Sequence, residues 1–119
     1  MATVILTSLV DNNLAELITE TSALTTAQTS LGLGLNMPML TYTTVIDVGA
    51  TGSASCILQG SLDGTASSWT TIHTVTQTGG GGSAATASST TGKPFTWIRH
   101  NVNPNTSLGS TVRTIAVPY

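Results

Sequence analysis

The sequence predicts an all-β protein built as an antiparallel β-sandwich or barrel, and three observations carry that prediction. From Tyr42 onward, short runs of β-branched and aromatic residues alternate with Gly, Asn, Asp and Pro, which is the punctuation of many short strands joined by turns. Threonine recurs throughout; it is β-branched and keeps a pleated, half-exposed surface wet without net charge. The chain has 119 residues, of which only 7% are charged. That length gives room for one core.

The elements follow in order. Residues 2–9, with Val4, Ile5, Leu6 and Leu9, read as a strand. Next, Leu14, Leu17, Ile18 and Thr21 stand at helical spacing, and Asn13 with Glu16 three residues later resembles a capping box, which predicts a short helix over 14–20. Residues 21–36 show no sustained period, and Pro38 then interrupts any helix or central strand. So long an irregular stretch in a small domain points to an arm or an extended loop lying on something else.

Strands are expected near 42–48, 54–60, 69–76, 94–102 and 110–117. In the first, Tyr42, Thr44, Ile46 and Val48 share one face; in the second, Ala54, Cys56 and Leu58 do. The glycine-containing link Gly49-Ala50-Thr51-Gly52 predicts that these two pair as a hairpin. Asp63-Gly64 predicts a tight turn, since Asp can bond its own backbone and Gly accepts positive φ. Trp69 and Ile72, three apart, cannot share a face of a regular strand, so a bulge is expected near Trp69-Thr70. Gly79-Gly80-Gly81-Gly82-Ser83 and the small residues up to Gly92 read as an exposed connector enclosing one weak strand at 84–89. In 94–102, alternation sets Phe95, Trp97 and Arg99 against Thr96, Ile98, His100 and Val102.

Composition excludes several functions. Lys93, Arg99 and Arg113 nearly balance Asp11, Glu16, Glu20, Asp47 and Asp63, too few cations to neutralise a phosphate backbone. No nucleic-acid partner is expected. No run approaches the ~20 apolar residues of a membrane helix, so no membrane partner is expected either. The start Met-Ala-Thr-Val-Ile-Leu lacks the basic head of a secretory signal, which predicts synthesis in a cytoplasm. Cys56 stands alone, so it forms no internal disulfide and reads as a small buried side chain in a strand.

Catalytic and metal signals are equally thin. The chain holds two histidines, His73 and His100, and many serines, but no Gly-x-Ser-x-Gly elbow occurs, and both histidines fall in strands, where a hydrogen-bonded structural role is expected. Gly32-Leu33-Gly34 and the 79–82 glycines lack the Lys-Ser/Thr pair of a phosphate loop. Asp47 and Asp63 are isolated acids without metal-ligand spacing. No catalytic, cofactor or metal residues are therefore assigned. Asn105-Thr106-Ser107 matches a glycosylation sequon that a Thr/Ser-rich chain produces by chance.

Leu58-Gln59-Gly60-Ser61-Leu62-Asp63-Gly64-Thr65, Trp69-Thr70-Thr71-Ile72, Gly92-Lys93-Pro94-Phe95-Thr96-Trp97-Ile98-Arg99 and a closing 112–117 strand together carry a resemblance. Over residues 40–119 the chain resembles the small β-sandwich proteins of tailed-bacteriophage virions, head decoration or cement proteins above all. Discoidin-like carbohydrate-binding sandwiches share the Ser-x-Asp-Gly turn before Trp. The phage resemblance implies a jelly-roll-like sandwich over 41–119; residues 1–40, where the segment from Ala2 to Asn36 departs most from that pattern, are expected as an N-terminal strand and an arm or extended loop. It implies a non-enzymatic subunit that binds major capsid protein on the virion surface and stabilises the shell. It brings no catalytic residues.

The nearly uncharged, Thr-rich surface agrees, because such a surface associates through apolar patches and hydrogen bonds, and few lysines are present to blunt strand edges. A homotrimer is expected. The alternative is a carbohydrate-binding or adhesion domain of a phage tail-associated protein. That alternative requires at least one of Tyr42, Trp69 or Trp97 to be exposed beside polar groups.

Overall fold

A computed structural model describes residues 4–10, 15–22, 28–29, 32–47, 54–65, 67–77, 85–103 and 109–118. Its elements are β1 (Val4–Val10), β2 (Ala15–Ser22), β3 (Gln28–Thr29), β4 (Leu33–Asp47), β5 (Ala54–Ser61), β6 (Thr70–Gln77), β7 (Ala85–Val102) and β8 (Gly109–Val117). The strands pair antiparallel in the order β1-β2-β8-β4-β7-β5-β6, with β3 also on β7. The all-β, sandwich-like class expected from the sequence is the class observed.

Two long strands make the sandwich. Residues 85–90 of β7 pair with 41–46 of β4, whereas 97–102 of β7 pair with β5 on one side and with β3 and the start of β4 on the other. One layer therefore runs β1-β2-β8-β4-β7, and the second holds the far half of β7 with β5 and β6. Strands that pass from layer to layer must bend, and bends sit at irregular register. The β4–β7 register breaks between Gly34 and Met39 and again between Met39 and Thr41. Pro38 lies inside that break, where the missing N–H costs no ladder bond.

The alternation within strands explains the core. Tyr42, Thr44 and Ile46 of β4 and Ala54, Cys56 and Leu58 of β5 are buried, as their spacing predicts. One apolar cluster joins Ala15, Leu17, Met39, Tyr42, Leu58, Phe95, Ile98 and Ala116; a second joins Ile46, Ala54, Cys56, Val75, Val102 and Val112. Tyr42 and Phe95 meet at a 6.5 Å centroid distance and 57° tilt, and the Tyr42 hydroxyl donates to the Met39 carbonyl at 2.6 Å. A Cβ at Gly60 would lie 2.5 Å from Phe95 Cγ. Glycine at that point is a packing requirement.

Five expectations are corrected. The helix over 14–20 is strand β2: Ala15, Leu17 and Thr19 are fully buried while Glu20 is exposed, a period of two that pairing with β1 and β8 enforces. Apart from Gly32, the described residues of the 1–40 segment are strands of the same sheet, and β2 sits between β1 and β8. The 42–48/54–60 hairpin does not form. Both edges of β4 are taken by β7 and β8, and β7 stands between β4 and β5. The bulge lies at Ile72 rather than Trp69-Thr70, since Leu58 pairs with His73 but Gln59 with Thr71; Trp69 precedes the strand. The weak strand at 84–89 is the first half of β7. The 79–83 glycine stretch and the 105–107 sequon lie outside the described residues.

Candidate functional site

Two polar constellations stand out, one inside the sandwich and one on its outer face. Inside, β2, β8, β4 and the first half of β7 present Thr19, Thr114, Thr44 and Ser89 toward the opposite layer. That layer sends two imidazoles back. His100 Nδ1 is 2.8 Å from Thr19 Oγ1, and its Nε2 is 2.7 Å from Thr114 Oγ1. His73 Nε2 is 2.7 Å from Thr44 Oγ1, and its Nδ1 is 3.0 Å from Ser89 Oγ. The Thr44 and Thr114 hydroxyls close the gap at 2.8 Å.

The result is one continuous seam: Thr19, His100, Thr114, Thr44, His73, Ser89. Its members contribute residues between the two apolar clusters, and Thr19, Thr44, Thr114 and His100 are fully buried. Each hydroxyl has one hydrogen and each neutral imidazole one N–H. The chain balances when every group donates in the same direction. Read from Thr19, that puts the His100 proton on Nε2 and the His73 proton on Nδ1; read from Ser89, it puts them on Nδ1 and Nε2. The two tautomers are thereby coupled. Burial, with a smaller contribution from neighbouring His73, pushes His100 down to about 3, and burial also lowers His73. Both ring nitrogens of both histidines are engaged by hydroxyls, the hydrogen-bonded setting that their place in strands predicts.

On the outer face, the turn after β5 is built by its own side chains. Ser61 Oγ accepts the N–H groups of Asp63 and Gly64 at 3.2 and 2.8 Å, and Asp63 Oδ1 accepts the N–H and hydroxyl of Thr65 at 3.0 and 2.9 Å. Hydrogen bonds from Ser68 and then Thr65 hold the Asp63 carboxyl down to about 2. Gly64 takes φ 75°, fulfilling the Asp-Gly expectation. It is also close to an indole: a Cβ there would lie 3.0 Å from Trp97 Cδ2 and Cε2. Thr96 Oγ1 donates to the Leu62 carbonyl at 2.9 Å, tying the turn to β7.

Around this turn the glycines make room for two tryptophans. Gly34 pairs with Trp97 across β4 and β7, and its Cβ position is 3.3 Å from Trp97 Cη2. The Cβ position of Gly32 is 3.2 Å from Trp69 Cη2 and 3.5 Å from Trp97 Cε3. Two residues beyond Trp97, the Arg99 guanidinium carbon lies 4.4 Å from the Trp69 ring centroid, and Arg99 Nε donates to Gln59 Oε1 at 2.7 Å. Partial burial pulls the Arg99 pKa downward. Trp97 is 36% exposed and Leu62 62% exposed, whereas Tyr42 is fully buried. Trp97 beside Gln59, Arg99 and Asp63 meets the requirement set by the carbohydrate alternative. The sequence had flagged Trp69, Trp97 and Tyr42, but not Arg99 or Gln59, whose signal was their cross-strand pairing.

Among the described residues no group of three or more His, Cys, Asp or Glu side chains could hold a metal. Cys56 is buried, and burial raises its thiol to about 12. Among the described residues no helix is long and apolar enough to cross a membrane.

The fold and this outer face define a β-sandwich with an aromatic and cationic patch. No protein-family model matches the sequence, and no curated protein matches it. Among solved structures the chain is similar to the PBSX exported protein XepA, with TM-score 0.57 and 11% identity over 100% of this chain. This chain spans 37% of XepA's length. It is also similar to the SPBc2 prophage-derived protein YomS, with TM-score 0.51 and 11% identity over 98% of this chain and 95% of that one. At such identity the likeness is one of fold.

Proposed function

We propose that this chain is a non-enzymatic structural protein of a phage particle, a decoration or cement subunit that docks on major capsid protein as a trimer and stabilises the shell. The observation that carries this reading is the state of the sheet ends. The order terminates in β1 and β6, whose sequences VILTSLV and TTIHTVTQ hold no Lys, Arg, Asp, Glu or Pro. An exposed edge offers a row of unpaired N–H and C=O groups, and proteins that remain monomeric blunt such edges with charge or proline. Edges left unblunted suit a chain whose neighbours cover them. The fold shared with XepA and YomS, and histidines spent on an internal seam, support the same reading.

The test uses capsids assembled without this chain. Purified chain should sediment with them in a fixed ratio, behave as a trimer by light scattering, and raise the temperature at which shells rupture. A persistent monomer that neither sediments with capsids nor shifts rupture would defeat the proposal. A second reading, an adhesion domain that holds carbohydrate, is favoured by the exposure of Trp97 beside Arg99, Gln59 and Asp63.

A further inference from the structure

Resting on that second reading, we infer that the Trp97–Arg99 face binds an acidic glycan, with a pyranose ring against the exposed part of the Trp97 indole and its carboxylate on the Arg99 guanidinium. Arg99 is held in place before any ligand arrives. Its Nε is spent on Gln59, and its guanidinium carbon sits over the Trp69 ring, 4.4 Å from the centroid. None of the described residues accepts a hydrogen bond from its two Nη nitrogens. They form a planar pair of donors, which matches a planar carboxylate bidentately. A cation fixed in this way loses little side-chain freedom on binding.

Trp97 supplies the second half. It lies two residues before Arg99 on β7, about 7 Å along the strand, which is near the width of one sugar ring. Glycines at 34 and 64 let backbone approach the indole without Cβ atoms covering it further. Charge then orients the ligand. Asp63 is ionised in the turn packed on Trp97, so it repels a carboxylate at that end and accepts sugar hydroxyls instead. The anionic group is directed to Arg99. Of the other cations, Arg113 is paired with Glu16. With a net charge of −2, the chain has no general attraction for polyanions, and binding must come from this local arrangement.

The experiment uses the full chain in affinity electrophoresis and calorimetry against polygalacturonate, neutral dextran and poly-glutamate. Binding to polygalacturonate, about tenfold weaker binding to dextran and none to poly-glutamate is expected, with the first weakening as salt rises. Arg99→Gln should reduce polygalacturonate binding about tenfold, and Trp97→Ala should abolish it. Trp97→Phe, which keeps a ring on β7, should bind measurably and guards against misfolding of the alanine variant. Dextran bound as tightly as polygalacturonate would overturn the acidic choice and leave adhesion standing. Equal binding of poly-glutamate would overturn the role of the sugar ring. Failure to bind any glycan would overturn this inference and the adhesion reading together, leaving the capsid proposal to its own test.

Discussion

Lowering the pH from about 7 to about 5 should destabilise this protein through His100, well before Asp63 is protonated. The imidazole ionises at its ordinary 6.5 in the unfolded chain and at about 3 in the fold, chiefly because burial disfavours the charge. A base whose folded pKa is lowered binds more protons when unfolded, so its stabilising contribution is complete above 6.5 and drains away as pH falls toward about 3. Each pH unit in that window is worth about 1.36 kcal/mol per proton. From pH 7 to pH 5 the loss from His100 is thus about 2 kcal/mol, out of a total of roughly 5–15 kcal/mol for a domain of this kind. His73, also lowered by burial, adds in the same direction. Asp63 cannot imitate the effect, since its carboxyl titrates at about 2 in the fold against an ordinary 3.8, and its contribution is lost only below that ordinary value. Urea unfolding at pH 7, 6 and 5 would measure the slope. A flat profile, or a His100→Gln variant that retains the full slope, would refute the reasoning.

Four further outcomes follow from the same packing. Thr114→Val, nearly isosteric, should cost about 1–3 kcal/mol by leaving buried imidazole and hydroxyl groups unmatched; in the unmutated protein, nitrogen NMR should find His73 and His100 in opposite tautomers, and identical tautomers would break the single-direction seam. Gly60→Ala should cost about 1–3 kcal/mol through overpacking against Phe95, measured as a fall in the denaturation midpoint, and an unchanged midpoint would contradict the close approach. Cys56, raised to about 12 by burial, should resist a thiol-specific disulfide reagent at pH 8 in the folded protein and react at once in denaturant; rapid labelling of native protein would place the thiol at the surface.

What the sequence disclosed depended on whether a signal was local. The period of two in Tyr42, Thr44 and Ile46 and in Ala54, Cys56 and Leu58 named buried residues, because a half-buried strand writes its faces into adjacent positions. Asp63-Gly64 announced its turn for the same reason. Strand partnership was not local. Gly49 to Gly52 looked like a hairpin link, yet β4 is already paired on both edges by strands from residues 85–117. In 14–20 two readings competed, since Leu17 with Ile18 and Thr21 fits a helical stripe while Ala15, Leu17 and Thr19 fit a strand face. Pairing with β8, some 95 positions away on the chain, decided it. The Arg99–Trp69 stack and the Arg99–Gln59 bond escaped notice because the three residues come from separate runs.

The histidine–threonine seam shows why a chain so poor in charge can still fix the relation of its two layers. Apolar surfaces slide at little cost, since burial depends on area and hardly on orientation. The imidazoles of His73 and His100 do not permit sliding: a shift of one residue along β6 or β7 would turn each ring to the other face of its strand and strand buried hydroxyls on the opposite layer. The bulge at Ile72 serves this arrangement. Without the extra residue, His73 and every position after it in β6 would change face, and the bonds to Thr44 and Ser89 would be lost. Removing Ile72 from the chain should therefore disrupt the seam and β6 together, whereas a substitution that keeps the count, such as Ile72→Val, should leave both in place.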